Sequence, residues 1–210
     1  MFITKLKKLF VKKNFFIICC IFFFLIFFKA FISSNGYLMP DSEWYLIAAN
    51  NILDLKFLFF DELEIYGVEI SKYKDHGRFL SAWPPLYALS ISLVSFFINI
   101  DVYLASKVLN FFCLLVIFFI LKKYISSNFV IFFIFCNATF LEIYFYTLSE
   151  YLFITLMMIL AHNLNIYLTK ENNFNLLVIF IILNLLFFTK LVGLFANLAI
   201  VFLFLYFFLI

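Results

Sequence analysis

The stretch YLASKVLNFFCLLVIFFIL, residues 103–121, is apolar along most of its length and is followed directly by Lys122-Lys123. A helix that crosses the hydrocarbon core of a membrane takes roughly 20 apolar residues. Further stretches of similar character are residues 14–33, 129–147, 151–168, 175–189 and 191–210. The sequence therefore predicts an all-α fold: a polytopic transmembrane helical bundle made of one module, residues 1–210.

The composition supports a membrane protein. The chain has 67% hydrophobic and 13% charged residues and a mean hydropathy of +1.14. An ordinary soluble domain has about a quarter of its residues charged. The sequence also contains no nucleic-acid-binding pattern, so the expected partners are membrane lipids and what they carry.

The distribution of lysines predicts the orientation of the bundle, because cytoplasmic flanks of membrane spans collect Lys and Arg. Five lysines precede the first span, and Lys122-Lys123 and Lys170 follow two later ones. We therefore expect a multi-pass membrane protein with a cytoplasmic N-terminus. The bacterial inner membrane is the membrane that we expect for it, as a separate hypothesis. A cleaved signal peptide is the alternative for residues 14–33, but the apolar run is long for one and lacks a small-x-small cleavage site.

The segment 35–102 then forms a long first extracytoplasmic loop with juxtamembrane helices. It is acidic, since residues 35–78 hold eight of the twelve acidic residues. Its end, residues 84–100, is apolar but shorter than the other stretches. If the lysine turns are cytoplasmic, both ends of 84–100 lie outside, which predicts a juxtamembrane or re-entrant helix. A short true span is the alternative.

The loop begins with PDSEWY, residues 40–45, which puts the carboxylates of Asp41 and Glu43 two residues apart. One interpretation is structural, since Asp41 or Ser42 suits the start of a helix. The other is chemical: a carboxylate at such a place accepts a proton from a hydroxyl nucleophile or holds a divalent cation such as Mg²⁺ or Mn²⁺. Asp41 and Glu43 are the candidate ligands of such a cation.

Short motifs follow one another in an order that resembles a known family. They are PDSxxYxxxA (40–49), PPLY (84–87), KVLN (107–110), LSE (148–150) and TKxxG (189–193). After a basic tail and one span, this order resembles the GT-C superfamily of membrane glycosyltransferases, most of all its protein-mannosyltransferase and aminoarabinose-transferase branch (glycosyltransferase family 39-like). The resemblance covers about residues 10–205. Ser42, Lys107 and Leu191 depart from the Glu, Arg and Pro that many members carry.

The resemblance implies an enzyme that moves a sugar from a polyprenyl-phosphate donor to an acceptor on the extracytoplasmic side, with inversion. It implies Asp41 as the base, with Glu43 orienting the acceptor or sharing a cation. Tyr45 and Glu150 are expected on the acceptor side. The cations available for the donor phosphate are Lys190, Lys107 and Arg78. For Lys190 and Glu150, a snorkelling side chain and a helix-start acid stay open as alternatives.

A non-catalytic polytopic protein is the alternative function: a truncated glycosyltransferase fragment, a transporter or an assembly subunit. The chain ends at Ile210 inside an apolar stretch, from which we expect an N-terminal module truncated at its C-terminus. Transport is less favoured, because the chain has only four Gly and few charges within its predicted spans. The four cysteines lie in apolar runs without metal-ligand spacing, and His162 is expected to make helix-packing hydrogen bonds.

Overall fold

The computed structural model describes residues 21, 25, 28–29, 40–55, 59–60, 64–65, 68–69, 78–79, 84–137, 143–170 and 172–209. These residues are predominantly helical. The helices are α1 (Pro40–Leu53), α2 (Leu86–Ile98), α3 (Val102–Tyr124), α4 (Asn128–Phe135), α5 (Glu150–Lys170), α6 (Asn173–Thr189) and α7 (Gly193–Leu209). The prediction of an all-α fold is confirmed. The first predicted span, residues 14–33, lies almost entirely outside the described residues.

Four two-residue strands follow α1 in the predicted extracytoplasmic loop. They are β1 (Phe59–Phe60), β2 (Glu64–Ile65), β3 (Val68–Glu69) and β4 (Arg78–Phe79). β1 pairs antiparallel with β4, and β2 pairs antiparallel with β3. The acidic loop therefore includes two short β-pairs that the sequence analysis did not anticipate.

Two of the helices, α3 with 23 residues and α5 with 21, are long and apolar enough to cross a membrane. The helices α2, α6 and α7 are apolar but shorter. Because an α-helix rises about 1.5 Å per residue, the 13 residues of α2 extend only about 20 Å. That length falls short of the roughly 30 Å of a hydrocarbon core.

The predicted span 129–147 differs from the structure. Helix α4 ends at Phe135 after eight residues, and Cys136 and Asn137 are not helical. Residues Thr147 and Leu148 are also non-helical, directly before α5 begins. Sequence hydropathy overlooked this interruption because the residues that flank it are themselves apolar.

Helices α3 and α5 run parallel. Near the start of α3, Ser106 contacts Thr147, just before α5. At the end of α3, Tyr124 contacts His162, well along α5. Helix α6 returns antiparallel to α5, since Lys190 at its end pairs with Glu150 at the start of α5. The described helices therefore have two distinct ends, one with Glu150 and Lys190 and one with Lys122, Lys123 and Lys170.

Three hydrophobic clusters hold the helices together. In the first, small residues let α1, α2 and α3 approach closely: Ala48, Ala49, Ala88 and Ala105 are fully buried there. The second joins α3, α4 and α5 around Leu114, Ile117, Phe135 and Tyr151. The third joins α5 and α6 around Leu156, Leu160, Ile179, Leu183 and Leu186. Close packing of these side chains, and the short distances that the small residues allow, set the relative placement of the helices.

The join between α6 and α7 depends on Gly193, the first residue of α7. A Cβ atom added at Gly193 would overlap the backbone carbonyl of Leu186, one turn before the end of α6. Asn197, one turn further along α7, donates hydrogen bonds to the carbonyls of Leu183 and Gly193 at 3.1 Å each. Glycine is therefore needed at this position so that the two helix backbones can come close together.

Replacing Gly193 with Ala should lower the free energy of unfolding by about 1–3 kcal/mol, the usual result of overfilling a packed interior. Thermal unfolding of the full chain in detergent, followed by helical circular dichroism, would show a lower midpoint. The matched control is Ala199→Val, which enlarges an exposed residue of the same helix and should leave the midpoint unchanged. Equal midpoints for Gly193→Ala and the unmodified chain would contradict the close approach.

Candidate functional site

Residues 147–150, here called the 147–150 connector, link three helices at one end of the fold. The segment leads into α5, and the side chains of Thr147 and Ser149 are almost fully buried in it. Thr147 contacts α3, Ser149 contacts α1, and Glu150 contacts the end of α6. Side chains from distant parts of the sequence therefore meet at this short segment.

Lys107 is the buried cation of this region, with 0% of its surface exposed. Its Nζ donates to the carbonyl of Phe145 at 2.5 Å and to the hydroxyl of Thr147 at 3.2 Å. It also lies 4.9 Å from the centre of the Tyr103 ring, which favours a cation through the ring's negative face. Lys107 is thus engaged by protein groups, and a donor phosphate would have to displace them.

Asn110 lies one turn after Lys107 and has a similar role. Its Nδ2 donates to the carbonyls of Tyr144 and Tyr146 at 3.5 and 3.2 Å. Its Oδ1 accepts a hydrogen bond from the hydroxyl of Tyr87 in α2 at 2.9 Å. The sequence analysis named Asn110 only as part of a motif. The spacing of Lys107 and Asn110 on one face of an apolar helix is the signal in the sequence that could have indicated a polar role for both.

Tyr45 connects α1 to the connector. Its hydroxyl donates to Ser149 Oγ at 3.0 Å, and its ring packs edge-on against Tyr87 with the ring centres 5.0 Å apart. Burial raises the pKa of Tyr45; the hydrogen bond with Ser149 lowers it, and the charges of Glu150 and Asp41 raise it further. Tyr45 therefore stays protonated at neutral pH and acts as a hydrogen-bond donor beside two carboxylates.

Asp41 and Glu43 lie in the first turn of α1. The helix already begins at Pro40, so neither Asp41 nor Ser42 precedes it as a cap. Two residues along a helix correspond to a rotation of about 200° around its axis, so such side chains leave the helix on nearly opposite sides. Asp41 is half-buried and lies one turn before Tyr45, whereas Glu43 is exposed. The structure thus brings Asp41 toward the connector and turns Glu43 away from it.

Glu150 and Lys190 form an ion pair at the same end of the fold. Lys190 Nζ lies 2.6 Å from Glu150 Oε1, with 31% and 33% of the two side chains exposed. The other carboxylate oxygen, Oε2, is buried and has no hydrogen-bond partner in the described part of the chain. A buried acceptor without a donor costs roughly 1–3 kcal/mol, more when it is charged. The arrangement has an unused acceptor for a ligand hydroxyl.

The other predicted site residues are less informative. Arg78 pairs through its backbone register with Phe60, and nothing about its side chain is described. Among the residues that the structure describes, no group of three His, Cys, Asp or Glu side chains is placed to hold a metal ion. The side chains of Asp41 and Glu43 leave α1 on different sides. A divalent cation at Asp41 and Glu43 stays a prediction.

Comparison of the chain with protein-family models, with curated proteins and with solved structures finds no match. The resemblance to membrane glycosyltransferases therefore rests on the sequence motifs alone.

Replacing Lys107 with Met should destabilise the fold by about 1–3 kcal/mol, because the Phe145 carbonyl loses its buried donor. Thermal unfolding in detergent would measure the change. Lys170→Met makes the same substitution at the exposed end of α5, where a surface change usually stays within about 0.5 kcal/mol. A Lys107→Met variant as stable as Lys170→Met would show that the ammonium does not hold the connector.

Proposed function

We propose that the chain is a multi-pass protein of the bacterial inner membrane, with its N-terminus in the cytoplasm and the 147–150 connector near the extracytoplasmic surface. Support comes from the two long apolar helices and from the separation of charges between the two ends of the fold. The end with Lys122, Lys123 and Lys170 suits the cytoplasmic face by the positive-inside rule. Asp41 and Glu150 belong to the opposite end.

The short helix α2 fits this topology as a juxtamembrane or re-entrant element. Its end is followed closely by Asp101, which caps α3 by accepting a hydrogen bond from the Leu104 N–H at 3.0 Å. Its start lies beside Asn110, two turns into α3, through Tyr87. Helix α2 thus runs antiparallel to the first turns of α3, with its end near the start of α3 and its start about two turns deeper, which supports a re-entrant element.

Large apolar side chains are exposed on every long helix, as expected of lipid-facing surfaces. On α3, α6 and α7 the more exposed examples are Phe112, Phe119, Phe174, Phe180, Phe195 and Phe202. Soluble monomers rarely expose apolar areas of this extent.

The function we propose is sugar transfer from a polyprenyl-phosphate donor to an acceptor hydroxyl or amine. The observation that carries it is the link from Tyr45 to Ser149, which brings the Asp41 turn of α1 to the Glu150–Lys190 pair. A base, an unused carboxylate oxygen and a cation then belong to one end of the fold. Those are the groups that a transfer between a hydroxyl and a phosphate ester requires.

In the proposed step, Asp41 accepts the proton of the acceptor hydroxyl as its oxygen attacks the anomeric carbon. The bond from that carbon to the phosphate oxygen breaks on the opposite face, so the configuration inverts. The phosphate leaves with the electron pair. Lys190 then releases Glu150 and pairs with the phosphate, whose charge it neutralises. Glu150 Oε2 accepts a hydrogen bond from the acceptor, and Tyr45 keeps α1 in position.

A non-catalytic membrane protein is the second candidate, and one observation favours it. Lys107 is fully engaged by Phe145 and Thr147, and Lys190 is already paired with Glu150. In the described part of the chain, the predicted phosphate-binding lysines thus both have protein partners. Sugar transfer requires the Glu150–Lys190 pair to open, whereas a structural role requires it to stay closed.

Replacing Asp41 with Asn should reduce sugar transfer by roughly 100- to 10,000-fold, the usual contribution of a positioned base. The assay is transfer from a polyprenyl-phosphate sugar to an acceptor extract by the full chain in reconstituted membranes. Asp54→Asn is the matched control, since Asp54 is exposed just after the other end of α1. Transfer by Asp41→Asn at the level of Asp54→Asn would remove Asp41 from the proposed step.

The topology predicts which residues react with a membrane-impermeant maleimide in intact cells. In a background without the four native cysteines, Asp54→Cys should be labelled from outside. Lys170→Cys should be labelled only after permeabilisation. Both positions are exposed, so accessibility within the fold does not explain a difference. The reverse pattern would contradict the orientation, whatever the activity of the chain.

A further inference from the structure

A polar cluster lies at the lysine-bearing end of the fold, away from the 147–150 connector. It consists of Lys123 and Tyr124 from α3 and His162 and Asn165 from α5, here called the His162 cluster. The Tyr124 hydroxyl lies 2.6 Å from His162 Nδ1, and Lys123 Nζ lies 3.3 Å from His162 Nε2. Asn165 Nδ2 donates to the Tyr124 hydroxyl at 3.4 Å.

The proton positions in the cluster follow from its partners. A lysine ammonium only donates, so Nε2 of His162 must be the accepting nitrogen. Nδ1 then carries the ring proton and donates it to the Tyr124 oxygen. That oxygen also accepts from Asn165. Its own proton must therefore point away from both partners.

The cluster consequently has more donors than acceptors. The Tyr124 O–H and two of the three Lys123 N–H groups have no acceptor among the described residues. The sequence supplies no acidic residue in 102–141 or 151–170. The nearest carboxylate along the chain is Glu171, which follows Lys170 and lies outside the described residues. Within the described residues, donors without acceptors beside the positive charge of Lys123 favour an anion.

The adjacent surface of α3 is apolar and leads directly to Lys123. Phe112, Val116 and Phe119 are all exposed. At 100° per residue, these three positions and Lys123 fall within about 60° on one side of the helix. An acyl chain lying along this stripe would bring its headgroup to the His162 cluster.

We propose that the His162 cluster binds the phosphodiester of an anionic membrane phospholipid. Lys123 and the Tyr124 hydroxyl donate to the phosphate oxygens, His162 and Asn165 orient Tyr124, and the lipid tail lies along the α3 stripe. Basic pockets between membrane helices on the cytoplasmic side are suited to such headgroups. A free phosphate ion would use the same donors but would gain nothing from the stripe. The proposal is independent of the proposed catalytic step.

The test titrates the purified full chain in detergent with dioleoyl phosphatidylglycerol and with dioleoyl phosphatidylcholine, and counts bound lipids by native mass spectrometry. We expect phosphatidylglycerol to bind more tightly. Lys123→Gln should weaken it about ten-fold, as for a hydrogen bond from a charged group, and Tyr124→Phe about five-fold. Both residues are exposed, and circular dichroism checks that the variants keep their helices.

Lys170→Gln is the matched control, because it too removes one positive charge from this end of the fold, at the end of α5. Eight residues beyond His162, Lys170 lies about 12 Å further along the helix, beyond the screening length of roughly 8–10 Å. Its phosphatidylglycerol affinity should change less than two-fold. Equal losses for Lys123→Gln and Lys170→Gln, or equal binding of the two lipids, would overturn the proposal. Inorganic phosphate held as tightly as the lipid would assign the cluster to a free anion and overturn it as well.

Discussion

Directly before α5 the helical hydrogen-bond pattern is interrupted, and the backbone carbonyls there need other donors. The fold depends on meeting that need. In apolar surroundings no water replaces a lost helical hydrogen bond, and each unsatisfied group costs several kcal/mol. Lys107 and Asn110 of α3 supply the donors, to the carbonyls of Phe145, Tyr144 and Tyr146. An interruption inside an apolar region is thereby made stable, and it is this interruption that leaves residues 147–150 available for contacts with α1 and α6.

The same interaction explains where a site is available in an otherwise apolar molecule. An unbroken helix through residues 144–150 would use its carbonyls internally and leave Lys107 without a buried acceptor. With the break, Thr147 and Ser149 contribute hydroxyls to neighbours from α3 and α1, and Glu150 begins a new helix. An acid in the first turn of a helix is favoured by the helix dipole, and Glu150 pairs there with Lys190.

Hydropathy was sufficient to predict an all-α chain and the approximate place of α3 and α5, because long apolar runs have few alternatives. It overlooked the end of α4 at Phe135, since apolar residues on both sides hide the break. The motif order singled out Asp41, Tyr45, Glu150 and Lys190, which the fold connects through Ser149 and one ion pair. The partners of Lys107 were not predictable, because contacts across 38 and 40 residues leave no local pattern.

The hydrogen bond between Tyr45 and Ser149 has a consequence for the order of assembly. Its two residues lie 104 positions apart, and the Ala-rich face of α1 packs on α2 and α3, which are also made after it. During synthesis, the apolar partners of α1 in α2 and α3 are made by about the middle of the chain, whereas Ser149 follows much later. A ribosome-bound chain ending before residue 149 would therefore have α1 packed on its apolar face but not tied to the start of α5.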